Sequence, residues 1–263
     1  MEAFSFLIYP FLGCLLLLLI HAYFGIHILE RGVIFLDLSM AQFIALGISL
    51  SFYMGYEEGS GKYLYAVAFA IVGAAILSLS RQISKIVNIE AFIGVFYIFS
   101  LASSILILDR TPHGIDELKV ILNGNILFIT SAELVKMVIL YSVIGVIHAI
   151  FRKRFFALSF EGSGGYFWEF LFFLSFALVL VSSVSTAGIL QVFTFLVIPS
   201  LIGRLYTEEP IKVLLIGWGV GVAASIFGLT MSYRMDLPTA PLIVASLSMV
   251  FFILLILKAW RTR

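Results

Sequence analysis

The chain has 263 residues, 62% of them hydrophobic and 12% charged, with a formal net charge of +1. Soluble domains carry about 25% charged residues, so this composition suits a chain dissolved mostly in hydrocarbon. Eight or nine spans of about 20 residues would leave no length for a separate soluble domain. The near-neutral charge argues against a nucleic-acid partner, which needs a basic face, and the single cysteine, Cys14, excludes an intrachain disulfide or a cysteine-pair metal site.

Apolar runs occupy about 4–28, 33–55, 63–80, 89–108, 126–150, 166–184, 188–206, 211–232 and 238–258. In lipid the backbone must satisfy its own hydrogen bonds, and the runs are continuous rather than alternating. The predicted fold class is therefore all-α: a polytopic transmembrane helical bundle of eight or nine spans, with 188–206 short enough to dip and return.

The first run contains Phe11-Leu12-Gly13-Cys14, which loosely matches a lipoprotein cleavage site. No Lys or Arg precedes it and apolar sequence continues past it, so it reads as a span. The same run carries His21 and, near its inner end, His27; the second carries Asp37 and Gln42. The stretch Tyr56-Glu57-Glu58-Gly59-Ser60-Gly61-Lys62-Tyr63 approximates a phosphate loop. Tyr stands where that loop needs its first Gly and again where it needs Ser or Thr. The chain is thus read as a non-enzyme without a catalytic residue, and any ATP hydrolysis falls to another subunit.

Glu90 opens the fourth run, with Tyr97 two turns deeper, and His148 lies near the inner end of the fifth. Two connections are long. One, 109–125, carries Asp109, Arg110, His113, Asp116 and Glu117. The other, 151–165, begins with Arg152-Lys153-Arg154, which would sit by anionic headgroups, while its remainder could form a short helix that docks on a cytosolic partner. In the eighth run Gly217, Gly219, Gly221 and Ser225 permit close helix packing, read as packing within the subunit.

Orientation follows from Lys and Arg. With the N-terminus outside and nine crossings, eleven fall inside (Arg31, Arg81, Lys85, Arg152, Lys153, Arg154, Arg204, Lys212, Lys258, Arg261, Arg263) and five outside (Lys62, Arg110, Lys119, Lys136, Arg234). On this topology His21 lies about 10 Å above the inner end of its helix, Asp37 about 6 Å above the start of the next, and Gln42 about 13 Å. Only Leu29 to Gly32 join the two helices, so these three side chains can approach one depth band. Carboxylate, imidazole and amide oxygen are plausible ligands for a divalent cation in transit. The alternatives are structural. Asp37 could reach headgroups or pair with Arg31, Glu90 could pair with Lys85 or Arg81, and His21 could bond a neighbouring carbonyl. Gln42 could bond across helices, and His27 and His148 could be interfacial.

Five stretches, in order, resemble the permease subunits of zinc- and manganese-importing ABC transporters across nearly the whole chain. They are Arg31-Gly-Val-Ile-Phe-Leu-Asp37-Leu-Ser-Met-Ala-Gln42 with Gly47; Glu90-Ala-Phe-Ile-Gly94; Leu122-Asn123-Gly124-Asn125-Ile126-Leu127; Ala187-Gly188-Ile189-Leu190 through Ile198-Pro199-Ser200; and Ser232 through Asp236-Leu237-Pro238-Thr239-Ala240-Pro241. Asp37 matches the family's Asp, and Gln42 takes the place of its His with one residue inserted between them.

The resemblance implies a single transmembrane permease domain over residues 1–263 of an integral protein of the bacterial cytoplasmic (inner) membrane. A second permease copy would form a homodimer around a central path. Cytosolic ATP-binding subunits would dock inside, and an extracytoplasmic metal-binding protein would deliver zinc or manganese outside. No cofactor would be bound permanently. Asp37, Gln42 and Glu90 would line the path, with His21 compensating for the missing His. Ala157 to Gly162 would belong to the coupling region, and Asp236 and Pro238 would shape an outer turn. The alternatives are a secondary ion-coupled transporter and an ABC permease for an iron chelate or vitamin.

Overall fold

The computed structural model describes residues 2–56 and 59–261. Glu57 and Glu58 of the phosphate-loop-like stretch, and Arg263 among the inner cations, lie outside the described residues. Among those described there is no strand. The helices are α1 (Glu2–Glu30), α2 (Leu36–Tyr53), α3 (Ser60–Ser78), α4 (Ser80–Ile83), α5 (Ile89–Leu108), α6 (Gly114–Asn123), α7 (Ser131–Ile150), α8 (Arg152–Phe160), α9 (Tyr166–Arg204), α10 (Pro210–Met235) and α11 (Thr239–Arg261), with a 3-10 turn at Ile126–Phe128.

Eight of these helices are long and apolar enough to cross a membrane. Nine apolar runs occupy eight helices because α9 holds two of them. Its 39 residues would reach about 58 Å if straight, roughly twice the hydrocarbon thickness. Gly188, at φ 75° and ψ 164°, breaks it between the two predicted runs. Both long connections contain helices, α6 in the first and α8 in the second.

Local chemistry sets several helix ends. Asn88 caps α5 by accepting the Ala91 N–H at 3.0 Å. Thr130 and Glu133 form a reciprocal capping box before α7: the Glu133 carboxylate accepts from the Thr130 N–H and hydroxyl at 2.8 and 2.7 Å, and the Thr130 hydroxyl accepts the Glu133 N–H at 3.2 Å. Pro210 opens α10, and Asp236 ends it in the left-handed conformation.

The chain divides into two compact units. One comprises the described residues within 1–29, 123–145 and 186–263, the other those within 30–122 and 146–185.

In the first unit, residues 189–204 lie beside α1 and run in the same direction. Gln191 donates to the Cys14 sulfur at 3.4 Å, and Ser200, eight or nine residues on, donates to the Ala22 carbonyl at 3.2 Å. A Cβ on Gly25 would collide with the Leu196 carbonyl, so these backbones touch. α10 returns antiparallel, with Gly217 against Pro199 and Gly221 against Leu18. These two small residues therefore pack within the chain, as the sequence reading expects, whereas Gly219 faces open space.

In the second unit α2 lies between α3 and α5. Phe43 meets Phe69 of α3 at 5.1 Å and Phe96 of α5 at 4.7 Å, and Leu46 completes the cluster. α3 runs antiparallel to α2, with Gly73 against Met40 and Phe69 against Gly47.

Candidate functional site

α2 is enclosed on nearly every face: 83% of it is buried, against 17% of the scanned window of α11. Its polar residues are therefore held inside protein, where each must be satisfied or costs free energy. The serines satisfy themselves along the helix. Ser39 donates to the Leu36 carbonyl at 2.9 Å, Ser49 to Ala45 at 2.9 Å and Ser51 to Ile48 at 2.7 Å. Asp37 does not. It is fully buried, and neither carboxylate oxygen has a hydrogen-bond partner among the described residues. The headgroup and Arg31 alternatives for Asp37 both give way, because its carboxylate is enclosed and Arg31 turns elsewhere.

Gln42 is also buried on α2, with Nε2 lacking a hydrogen-bond partner among the described residues. α2 is regular between the two residues, so five positions place their side chains about 140° apart. They share a helix but not a face. His21 belongs to the first unit and is fully buried, with Nδ1 2.8 Å from the Leu17 carbonyl one turn back. Glu90 stands exposed in the first turn of α5.

The two other histidines of the spans, His27 and His148, are enclosed by protein. His27 is buried edge-on to Tyr23, 5.0 Å between centroids. His148 is buried with Nε2 2.8 Å from the Ser175 hydroxyl, its ring stacked on Phe155 of α8 at 4.0 Å. Around His148 the apolar neighbours Phe155 and Phe172 come from other elements, invisible to a local hydropathy scan.

The ion-pair centre of the second unit forms on a residue the sequence reading passed over. Glu169, in the first turn of α9, is 3% exposed. Its Oε2 accepts a hydrogen bond from Arg31 Nη1 at 2.8 Å, and its Oε1 forms an ion pair with Arg81 Nε at 2.5 Å. Glu169, not Asp37 or Glu90, thus takes Arg31 and Arg81. Arg31 Nη2 is buried without a hydrogen-bond partner among the described residues, and the other donors reach α8 and the residues just after it. Arg31 Nε donates to the Ser159 hydroxyl at 3.1 Å, and Arg81 donates to the carbonyls of Gly162 at 2.6 Å and Leu158 at 3.1 Å. The Arg31 guanidinium also lies over the Phe172 ring, 4.3 Å from its centroid. Burial draws the Arg31 guanidinium below its ordinary value; Glu169 opposes that shift and Arg81 adds to it. A single acidic residue opening a span, on the side where Arg31 and Arg81 are expected, was the available signal.

In the first unit, three of the motif stretches meet. The Asn125 N–H donates to the Thr186 carbonyl at 2.9 Å, and a Cβ on Gly124 would overlap the Ala187–Gly188 backbone. Asn123 to Phe128 and Asp236 to Pro241 line one cavity of about 320 Å³.

This arrangement is matched from residue 3 to residue 258 by the model of the ABC 3 transport family. The chain belongs to the ABC 3 transport family. Members similar to this ABC 3 chain include the manganese transport system membrane protein MntC of Listeria innocua, 27% identical over 87% of this chain and 82% of that one. The chelated iron transport system membrane protein YfeC of Yersinia pestis is 23% identical over 88% of this chain and 79% of that one. Among solved structures, PsaBC from Streptococcus pneumoniae in complex with Fab shares the fold. Its TM-score is 0.76 at 22% identity, over 95% of this chain and 90% of that one. Family membership and eight long apolar helices make this ABC 3 chain an integral membrane transport protein, which displaces the secondary-transporter alternative.

Proposed function

We propose that the chain is the permease of an ABC importer for a divalent metal ion in the bacterial cytoplasmic membrane, with manganese preferred over zinc. The observation that carries this reading is Asp37: a buried carboxylate on the most enclosed span, with neither oxygen hydrogen-bonded. An acidic side chain at membrane depth costs about 2.5–3.5 kcal/mol on insertion scales. A passing cation offsets that cost, and a site without permanent partners lets the ion leave. Asp37 offers oxygen donors, which suit manganese better than zinc. The relative named for manganese transport points the same way.

Both units act as one transmembrane permease domain. No three His, Cys, Asp or Glu side chains gather among the described residues, so the proposal requires a second copy to complete the coordination shell around a shared path. Asp37 holds the ion, Gln42 lines the path above the inner surface, and Glu90 receives the ion at the inner exit. An extracytoplasmic metal-binding protein loads the outer end, where Asp236 and Pro238 shape the turn. Cytosolic ATP-binding subunits hydrolyse ATP and dock at α8 and residues 157–162; nothing is bound permanently.

The test is uptake of manganese, zinc, iron and cobalt by the complex reconstituted in liposomes. Asp37→Asn is expected to lower manganese uptake about tenfold or more with assembly intact, the scale of losing one direct ligand interaction. Unchanged uptake removes Asp37 from the path. A second reading, iron-chelate transport, has the Yersinia pestis relative in its favour; a chelate that is itself transported and outcompetes free manganese would establish it instead.

A further inference from the structure

We propose that Glu169 is a positioning residue for transport: it fastens cytosolic helix α8 to the turn that leads into the Asp37 helix, so that movement imposed on α8 reaches the metal path. The inference rests on the importer reading above.

Glu169 uses both carboxylate oxygens, and its two arginines come from different elements, Arg31 from the α1–α2 turn and Arg81 from α4. Each arginine also grips the C-terminal end of α8. Arg31 holds the Ser159 hydroxyl, and Arg81 holds the Leu158 and Gly162 carbonyls. These carbonyls stand where a helix end leaves acceptors without an intrahelical donor. Five atoms of three segments are thereby tied to one carboxylate on α9.

The path from the clasp to Asp37 is short. Arg31 is followed by Gly32 at φ 69°, then by a turn closed by the Leu36 N–H on the Val33 carbonyl at 3.1 Å, and Asp37 is the second residue of α2. At the other end of α8, Arg152, Lys153 and Arg154 are exposed, which leaves that end open to a cytosolic subunit. A cavity of about 430 Å³ lies beside the clasp, lined by Arg31, Arg81, Glu169 and the hydroxyls of Ser80, Ser84 and Ser159. It gives the arginines alternative polar partners within reach when α8 shifts. A buried ion pair contributes little net stability relative to apolar packing but can fix register, and a contiguous network of this kind can carry coupling.

The experiment measures manganese ions moved per ATP hydrolysed by the permease reconstituted with its cytosolic ATPase. Glu169→Gln keeps the shape and removes the charge. Arg81→Ala, at a side chain already 37% exposed, leaves the Arg31–Glu169 pair neutral and removes the two carbonyl contacts to α8 and Gly162, while Arg31 keeps Ser159. Both variants are expected to copurify with the ATPase, to keep hydrolysis within about twofold, and to lower ions per ATP about tenfold, within the range of coupling-network mutations. Glu169→Asp, which retains the charge on a shorter stem, is expected to restore part of the ratio.

An unchanged ratio in both Glu169→Gln and Arg81→Ala overturns the proposal. So does uptake that falls only in proportion to assembled complex in both, because that marks a purely structural role. A wild-type complex that hydrolyses ATP but moves no metal overturns the importer reading, and this inference with it.

Discussion

Asp37 and Glu169 are both carboxylates enclosed in the second unit, and the fold treats them oppositely. Glu169 receives two guanidinium groups, one on each oxygen, at 2.8 and 2.5 Å. Asp37 receives no hydrogen bond on either oxygen, although serines on its own helix are all satisfied. The contrast separates two uses of buried charge. A carboxylate with its full complement of donors holds elements in register, whereas one enclosed without donors is costly to keep and points to a partner outside the chain.

Breaking the satisfied carboxylate has the largest expected effect on stability. Glu169→Ala leaves Arg31 buried and without its counter-ion, and loss of one partner of a buried pair costs about 3–5 kcal/mol. Thermal unfolding of the detergent-purified protein should show a large drop in midpoint. A small drop would mean that the pair is screened and that the contrast with Asp37 is overstated.

An intermediate effect is expected where packing alone is disturbed. Gly217→Leu drives a side chain into the Pro199 backbone in the first unit, and overpacking of this kind costs about 1–3 kcal/mol. The same change at Gly219, which faces open space, should leave the midpoint nearly unmoved. Equal effects at the two positions would break the account of that helix seam.

The smallest stability effect belongs to the carboxylate without donors. Asp37→Asn removes a buried charge that nothing pairs, so the unfolding midpoint should stay or rise slightly, by about 0–1 kcal/mol in stability, even as manganese uptake falls. Destabilisation comparable with that of Glu169→Ala would show that Asp37 has partners of the same kind and would erase the distinction.

The sequence by itself determined the all-α membrane class, the positions of the spans and the break ahead of Gly188. A run of about 20 apolar residues in lipid has one backbone solution, and that rule is local. It also supplied Asp37 among the ionisable residues within the spans, and the packing role of Gly217 and Gly221. Tertiary structure alone decided what each buried polar group meets. Arg31 is six residues from Asp37 in sequence, yet it turns to Glu169, 138 residues away, and Arg81 joins it there. His148 is enclosed by Ser175 and Phe155, and the stretches around Asn123, Gly188 and Asp236 converge. Hydropathy reports how a residue suits its solvent, but ion pairs and cavities depend on distances between helices far apart in the chain, and no local period encodes those distances.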